Sequence, residues 1–158
     1  MNVVNGRGSV VTQTGVLTST DRRPLPQPDD VTRFHWDGAA AHRLVLQRCR
    51  SCGKLQYPPE VCCIHCQADD FEHVEATGRG VIYSYSVVDR PLHAGFVDTV
   101  PYVVVLVELD DQPGLRMLTN LVEVPSGTTL QCGMPVEVVF EDRGAVTLPQ
   151  FRLAEKPS

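Results

Sequence analysis

Six cysteines stand at positions 49, 52, 62, 63, 66 and 132, and four of them are spaced to hold one metal ion. Cys49-Arg50-Ser51-Cys52-Gly53 and Cys63-Ile64-His65-Cys66 are two C-x-x-C turns, separated by the ten residues from Gly53 to Cys62. In such a turn two thiolates grip an ion while nearby backbone N–H groups point at the sulfurs. A glycine just after the second thiolate suits a position of positive φ. Two turns together supply four soft ligands in a tetrahedron, the arrangement of structural zinc. Iron competes for the same ligands, because four thiolates bind either metal; no flavin or nicotinamide motif accompanies the turns, which favours zinc. With Cys49, Cys52, Cys63 and Cys66 all engaged, no position is left for water, so the ion is structural and not catalytic. Cys62 in place of Cys63 would break the C-x-x-C spacing; Cys62 and Cys132 read as core or surface thiols, and His65 as pointing outward. Loading converts neutral thiols to thiolates, taking the formal charge of −5 to about −7.

Other residues suggest weaker chemistry. Arg43, Arg48, Arg50 and Lys54 carry four positive charges with no acid between Arg43 and Lys54. That run either faces an anion or a carboxylate-rich partner, or screens the negative thiolate site. His93, on a long loop with Pro91 and Gly95, is the best lone histidine for site chemistry, against the plainer reading of an exposed loop residue. Arg79 and Arg90 are candidates for phosphate contact, since guanidinium groups bind phosphate bidentately. Phe96, Tyr102 and Phe151 are candidates for an apolar docking patch. Tyr83 and Tyr85 lie two apart, hence on one strand face, as stacking platforms for single-stranded nucleic acid would. That face lacks interleaved basic residues, and a net-acidic chain makes a poor nucleic-acid ligand. No Ser-His-Asp order, nucleophile elbow, phosphate loop or dinucleotide fingerprint is present.

The elements that must position these residues follow from composition and periodicity. At 158 residues and 42% apolar, the chain has the length of about one domain and enough hydrophobic residues for a core. The longest obvious apolar run, Tyr102 to Val107, falls far short of the ~20 residues of a membrane helix. Met1 to Gly6 lacks a charged start followed by an apolar core, so a soluble, cytoplasmic protein is expected, with paired cysteines serving a metal and not disulfides. Residues 1–29, polar and ending in alternate prolines, read as a flexible extension, mobile or draped on a partner. Asp29 or Asp30 offers an N-cap to a short helix from Val31 to about His42, with Val31, Phe34, Gly38 and Ala41 on one face. Leu44–Gln47 leads as a strand into the first cysteine pair. From Gly78 the pattern changes to five strands: Val81–Val88, Tyr102–Leu109 (apolar on both faces, hence central), Leu115–Val124, Val136–Glu141 and Ala145–Leu153. The last carries Pro149, which belongs at an edge or bulge. Five short strands without a long helix predict a mainly β chain closed as a small barrel or sandwich. The OB-fold is one such barrel. The expected organisation is an extension (1–29), a helix plus zinc ribbon (30–76), an OB-fold (77–153) and a tail (154–158).

The order of these features resembles a family, the zinc-ribbon/OB-fold acyl-CoA-associated proteins known as domain of unknown function thirty-five. The resemblance is carried by Leu46 to Gly53, Tyr57-Pro58-Pro59 and Cys63 to Cys66. It continues through Gly78 to Val88, Pro101 to Val104, Leu118 to Val122, Gly133 to Val138, Phe140 and Thr147 to Phe151. It covers about residues 24–153. Ile64 and Gln67 stand where the family commonly has Pro and Gly, and Cys62 where it often has no cysteine. The resemblance implies an N-terminal helical segment, a rubredoxin-like zinc ribbon and a C-terminal OB-fold. It also implies a subunit accompanying acyl-CoA enzymes: thiolase-like acyltransferases or aldolases, or hot-dog-fold enoyl-CoA hydratases, including those of steroid side-chain breakdown in lipid metabolism. The expectation is a hetero-oligomer without nucleic acid or membrane, with no turnover by this chain alone. Arg79, Arg90, His93 and Phe96 are its candidate contacts for acyl-CoA or the partner.

Overall fold

The computed structural model describes residues 23–155; most of the expected N-terminal extension and the end of the tail lie outside the described residues. One helix, α1 (Arg33–Ala40), precedes a three-stranded antiparallel sheet in which β1 (Val45–Cys49) lies between β2 (Leu55–Gln56) and β3 (Phe71–Glu75). The five further strands are β4 (Arg79–Val88), β5 (Tyr102–Leu109), β6 (Arg116–Leu121), β7 (Pro135–Arg143) and β8 (Val146–Leu153). They close into a barrel in the order β4-β5-β6-β8-β7, with β7 returning to β4. The mainly β architecture with one short helix is therefore the one expected.

The chain enters α1 through a tight turn. The Asp29 carboxylate accepts from the backbone N–H groups of Val31 (3.1 Å) and Thr32 (2.8 Å) and from the Thr32 hydroxyl (2.7 Å). These bonds, the Thr32 hydroxyl first, hold its carboxyl below the usual carboxylate range. The helix buries a different stripe from the expected one: His35, Gly38 and Ala39 face inward, Val31 and Phe34 are half-buried, and Ala41 is exposed. The reason is a close approach to β1. A Cβ on Gly38 would stand 2.5 Å from Val45 Cγ2, so the helix meets the sheet through its glycine. Phe34 stacks on His73 of β3, centroids 3.7 Å apart. Just past the helix, His42 stacks on Phe140 of β7 (5.3 Å), and its Nε2 lies 3.3 Å from Asp142. One short helix thus touches both the ribbon sheet and the barrel.

Strands form where side chains alternate against the barrel interior. Val105, Val107 and Leu109 of β5, Met117 and Leu121 of β6 and Ile82 of β4 are all buried, packed around Phe151 of β8. Leu44, just before β1, and Leu46 within it belong to the same cluster, so ribbon and barrel share one core. β5 pairs along both its edges, as every strand of a closed barrel does; only its inner face is buried, so its apolar outer residues do not make it a central strand as expected. Closure between β6 and β8 is parallel and brief, with Leu121 opposite Phe151 and Val122 N–H donating to Phe151 O at 2.8 Å. Pro149 falls beyond that pairing, where the sheet is at its most open and the Thr119 hydroxyl donates to its carbonyl at 2.8 Å. Among the described residues no helix is long and apolar enough to cross a membrane.

Candidate metal centre

The two C-x-x-C turns face one another at the end of β1. Sγ of Cys49 lies 3.6 Å from that of Cys66, and Sγ of Cys52 lies 3.6 Å from that of Cys63. All four sulfurs fall within 4.8 Å of one another. A tetrahedron with metal–sulfur bonds of about 2.3 Å has edges of about 3.8 Å, so the donor set fits one thiophilic ion. Cys49 and Cys63 are buried, whereas Cys52 and Cys66 are exposed. Cys62 and Cys132 are exposed thiols outside the cluster.

Each turn closes with a residue of positive φ, Gly53 (74°) in the first and Gln67 (65°) in the second. Gly53 N–H donates to Cys49 O at 2.8 Å and Gln67 N–H to Cys63 O at 2.9 Å. Gln67 thus adopts, without the freedom of a glycine, the conformation its counterpart adopts readily. The sulfurs differ electrically. Burial pushes the Cys63 thiol up, but the N–H groups of His65 and Cys66 and the thiols of Cys52 and Cys66 outweigh it and bring it down to about 7. At Cys66 the Ala68 N–H acts downward, yet burial and the other three thiols push it up to about 12. Only a cation can hold all four as thiolates together.

What aligns the turns is a buried amide pair that sequence reasoning overlooked. Gln47 of β1 and Gln56 of β2 are register partners, and Gln56 Nε2 donates to Gln47 Oε1 at 2.8 Å. Gln47 also donates to Glu60 O (2.9 Å) and accepts from Glu60 N–H (3.0 Å), while Gln56 Oε1 accepts from Ile64 N–H (3.0 Å). Two buried side chains therefore hold the loop that carries the second cysteine pair. Two short elements, β2 and β3, also went unforeseen, since one has two residues and the other reads Phe-Glu-His-Val-Glu.

β3 and the residue before it also account for most of the basic run. Arg43 pairs with Glu75 (3.6 Å), Arg48 with Glu72 (2.6 Å) and Arg50 with Asp70 (3.5 Å). The acid-free stretch is answered by carboxylates some twenty to thirty residues downstream, not chiefly by an external anion. Lys54 alone of the four makes no ion pair among the described residues.

The remaining candidates are scattered. Arg79 opens β4 and Arg90 lies past its end, so a strand of ten residues separates them, about 30 Å along its length. They cannot share one phosphate group. His93 Nδ1 accepts from Gly95 N–H at 3.0 Å and starts the 3-10 turn Ala94–Phe96. Phe96 packs on Tyr102 (5.2 Å), and both line a cavity of about 430 Å³ with Asn120 and Phe140. Phe151 is fully buried in the barrel core, which removes it from any docking patch. Tyr83 and Tyr85 do not share a face. A bulge between Ile82 and Ser84 shifts the register, so that Tyr85 pairs with inward-facing Val105 while Tyr83 lies under the outward Arg116 guanidinium, 3.5 Å from its ring centre. Contrary to expectation, then, a basic residue does accompany Tyr83, and it covers the ring.

Comparison with known proteins agrees with this architecture. Residues 36–72 match the family described as ChsH2, rubredoxin-like zinc ribbon domain, and residues 73–141 match ChsH2, C-terminal OB-fold domain. A DUF35 domain-containing scaffold protein of Methanothermobacter thermautotrophicus is 33% identical over 100 residues, covering 63% of this chain and 72% of that protein. The chain belongs to the DUF35 family. A solved DUF35 structure, titled Ltp2-ChsH2(DUF35) aldolase, superposes with a TM-score of 0.71 at 41% identity, covering 82% of this chain and 98% of that one. A probable enoyl-CoA hydratase alpha subunit of Thermomonospora curvata is 43% identical over 133 residues, which are 84% of this chain. This DUF35 chain spans only 40% of the length of that hydratase subunit.

Proposed function

We propose that this DUF35 chain is a non-catalytic accessory subunit that binds and supports an enzyme acting on acyl-CoA, either a thiolase-like acyltransferase or aldolase or an enoyl-CoA hydratase of lipid or steroid side-chain metabolism. The observation that carries the reading is the likeness, at 41% identity over nearly the whole of the other chain, to the DUF35 component of an aldolase assembly. The hydratase alpha subunit from Thermomonospora curvata supports the same class of partner. Zinc is the proposed ion, held by Cys49, Cys52, Cys63 and Cys66. With every donor a sulfur, it would tie two loops together and offer no position to substrate or water. Arg79, Arg90, His93 and Phe96 are proposed contacts for the coenzyme or the partner, with Arg79 and Arg90 serving separate ends of the barrel.

The test is affinity purification of the full chain from its native host, with metal analysis of the product. The expected result is one equivalent of zinc, a co-eluting thiolase-like or hydratase subunit, and acyl-CoA turnover by the complex but not by the isolated chain. Turnover by the chain alone, or a metal-free protein that still binds that subunit, would refute the proposal.

A further inference from the structure

We infer that the seam between ribbon and barrel is a docking site for an acid-rich segment, flanked by apolar residues, of the partner enzyme subunit; this rests on the accessory-subunit reading above. A cavity of about 450 Å³ opens there between β2, the second cysteine turn and the β5–β6 turn. Lys54, Tyr57, Ile64, His65, Gln112 and Arg116 are among its lining residues, and no carboxylate is. In a chain of net charge −5, a cavity whose charged lining residues, Lys54 and Arg116, are both cations runs against the average and favours carboxylates. Lys54 is the decisive group. The other three cations of its run pair with carboxylates in β3 or just before it, whereas Lys54 is exposed and without an ion pair among the described residues.

Arg116 is already aimed. Its Nε–H donates to Glu108 at 3.0 Å, and its guanidinium carbon stands 3.5 Å over the centre of the Tyr83 ring, two contacts that restrict where the group can point. The walls are fixed as well, because the Gln112 side chain accepts from Leu55 N–H (2.8 Å) and donates to Leu55 O (3.1 Å). Exposed apolar side chains adjoin the cavity: Ile64, in the lining, is 58% exposed, and Leu118, two residues on from Arg116 on the outer face of β6, is 64% exposed. Cations at the centre and exposed aliphatic groups beside them fit a peptide that carries acids between apolar residues. Single-stranded nucleic acid fits less well, because the two tyrosines at hand are already engaged: Tyr83 has its face occupied by Arg116, and Tyr57 packs against His35.

The experiment uses the full chain with the acyl-CoA enzyme subunit that co-purifies with it. Lys54→Glu should weaken that complex about tenfold, and Lys54→Glu with Arg116→Glu about a hundredfold, while Arg33→Glu, on the exposed face of α1 and outside the cavity lining, leaves it unchanged. Zinc content and circular dichroism should match the parent. Should the double variant misfold, Lys54→Glu alone decides, since its side chain is exposed. A photo-cross-linking residue at Leu118 should attach to an acid-rich segment of the partner, and replacing those acids by lysine should restore binding to Lys54→Glu. A partner that binds parent and Lys54→Glu equally overturns the docking site and leaves the accessory role standing. Displacement of the partner by oligothymidylate or by inorganic phosphate overturns it in favour of a nucleic-acid or small-anion site. Absence of any acyl-CoA enzyme subunit with the parent chain removes both.

Discussion

Gln47 and Gln56 show how much of the cysteine cluster depends on residues that touch no metal. Between them they satisfy backbone groups of Glu60 and Ile64 inside the ribbon. Gln56→Leu would leave the Ile64 N–H and part of Gln47 unpartnered in a buried place. A buried group so stranded costs about 1–3 kcal/mol. We expect lower stability to urea and weaker zinc retention against a chelator; a variant with parental values for both would contradict this role. His35 is the second buried polar residue of consequence. Its Nδ1–H donates to Val45 O at 2.9 Å, its Nε2 has no partner among the described residues, and the rings of Trp36 and Tyr57 pack beside it. Burial lowers its basicity below the usual histidine value of 6.5, with the Val45 bond acting weakly the other way. The folded chain therefore holds fewer protons than the unfolded one just below pH 6.5, and stability is lost as pH falls through that range. For one proton the slope is at most about 1.4 kcal/mol per pH unit. Denaturant titrations at pH 7.5 and 5.5 should show a smaller loss for His35→Phe than for the parent.

At the scale of elements, glycine placement decides how the helix meets the sheet. Gly38 lowers the intrinsic propensity of α1, and an alanine would recover about 1 kcal/mol of it. Its Cβ would nevertheless stand 2.5 Å from Val45 Cγ2 and 3.1 Å from Arg43 O, which forces α1 off β1. Overpacking of that kind costs about 1–3 kcal/mol, so Gly38→Ala is expected to destabilise overall. Emission from Trp36, the chain's one tryptophan, should report the displacement. An unchanged spectrum with a raised melting temperature would show that the helix had room. The bulge in β4 acts at the same scale, since one extra residue sends Tyr83 outward to Arg116 and leaves Tyr85 on the inner register, its hydroxyl donating to Leu130 O at 2.8 Å.

For the whole molecule, the shared core is the controlling feature. Leu44 and Leu46 connect the ribbon to Ile82, Met117 and Phe151, and Gln112 clips β2 to the β5–β6 turn. Stripping the metal should therefore loosen the barrel as well as the ribbon, because folding and thiolate binding are linked. Chelation is expected to lower the melting temperature in a single transition and to speed hydrogen exchange at Val105, which sits at the barrel centre. Two separate transitions, with β5 still protected, would mean that the two parts are energetically independent.

The cysteine cluster, the helix and all five barrel strands were legible in the sequence because each leaves a local mark: a spacing of three, an aspartate-led turn (although Thr32, not Asp29 or Asp30, is the N-cap), or a β-branched and aromatic run between glycines and prolines. Membership of the family followed from the same marks in order. Tertiary structure decided what no local pattern encodes. It placed Glu72 opposite Arg48, turned two neighbouring tyrosines to opposite faces, made Gly38 the point where the helix backbone meets β1, and paired two glutamines behind the cysteines. β3 escaped notice because its five residues acquire meaning only beside β1, where their acids meet arginines brought close by the fold. Spacing along a chain fixes which groups can act together over a single turn. Charge pairing, burial and the seam between ribbon and barrel depend on residues far apart in sequence, whose distances only packing sets.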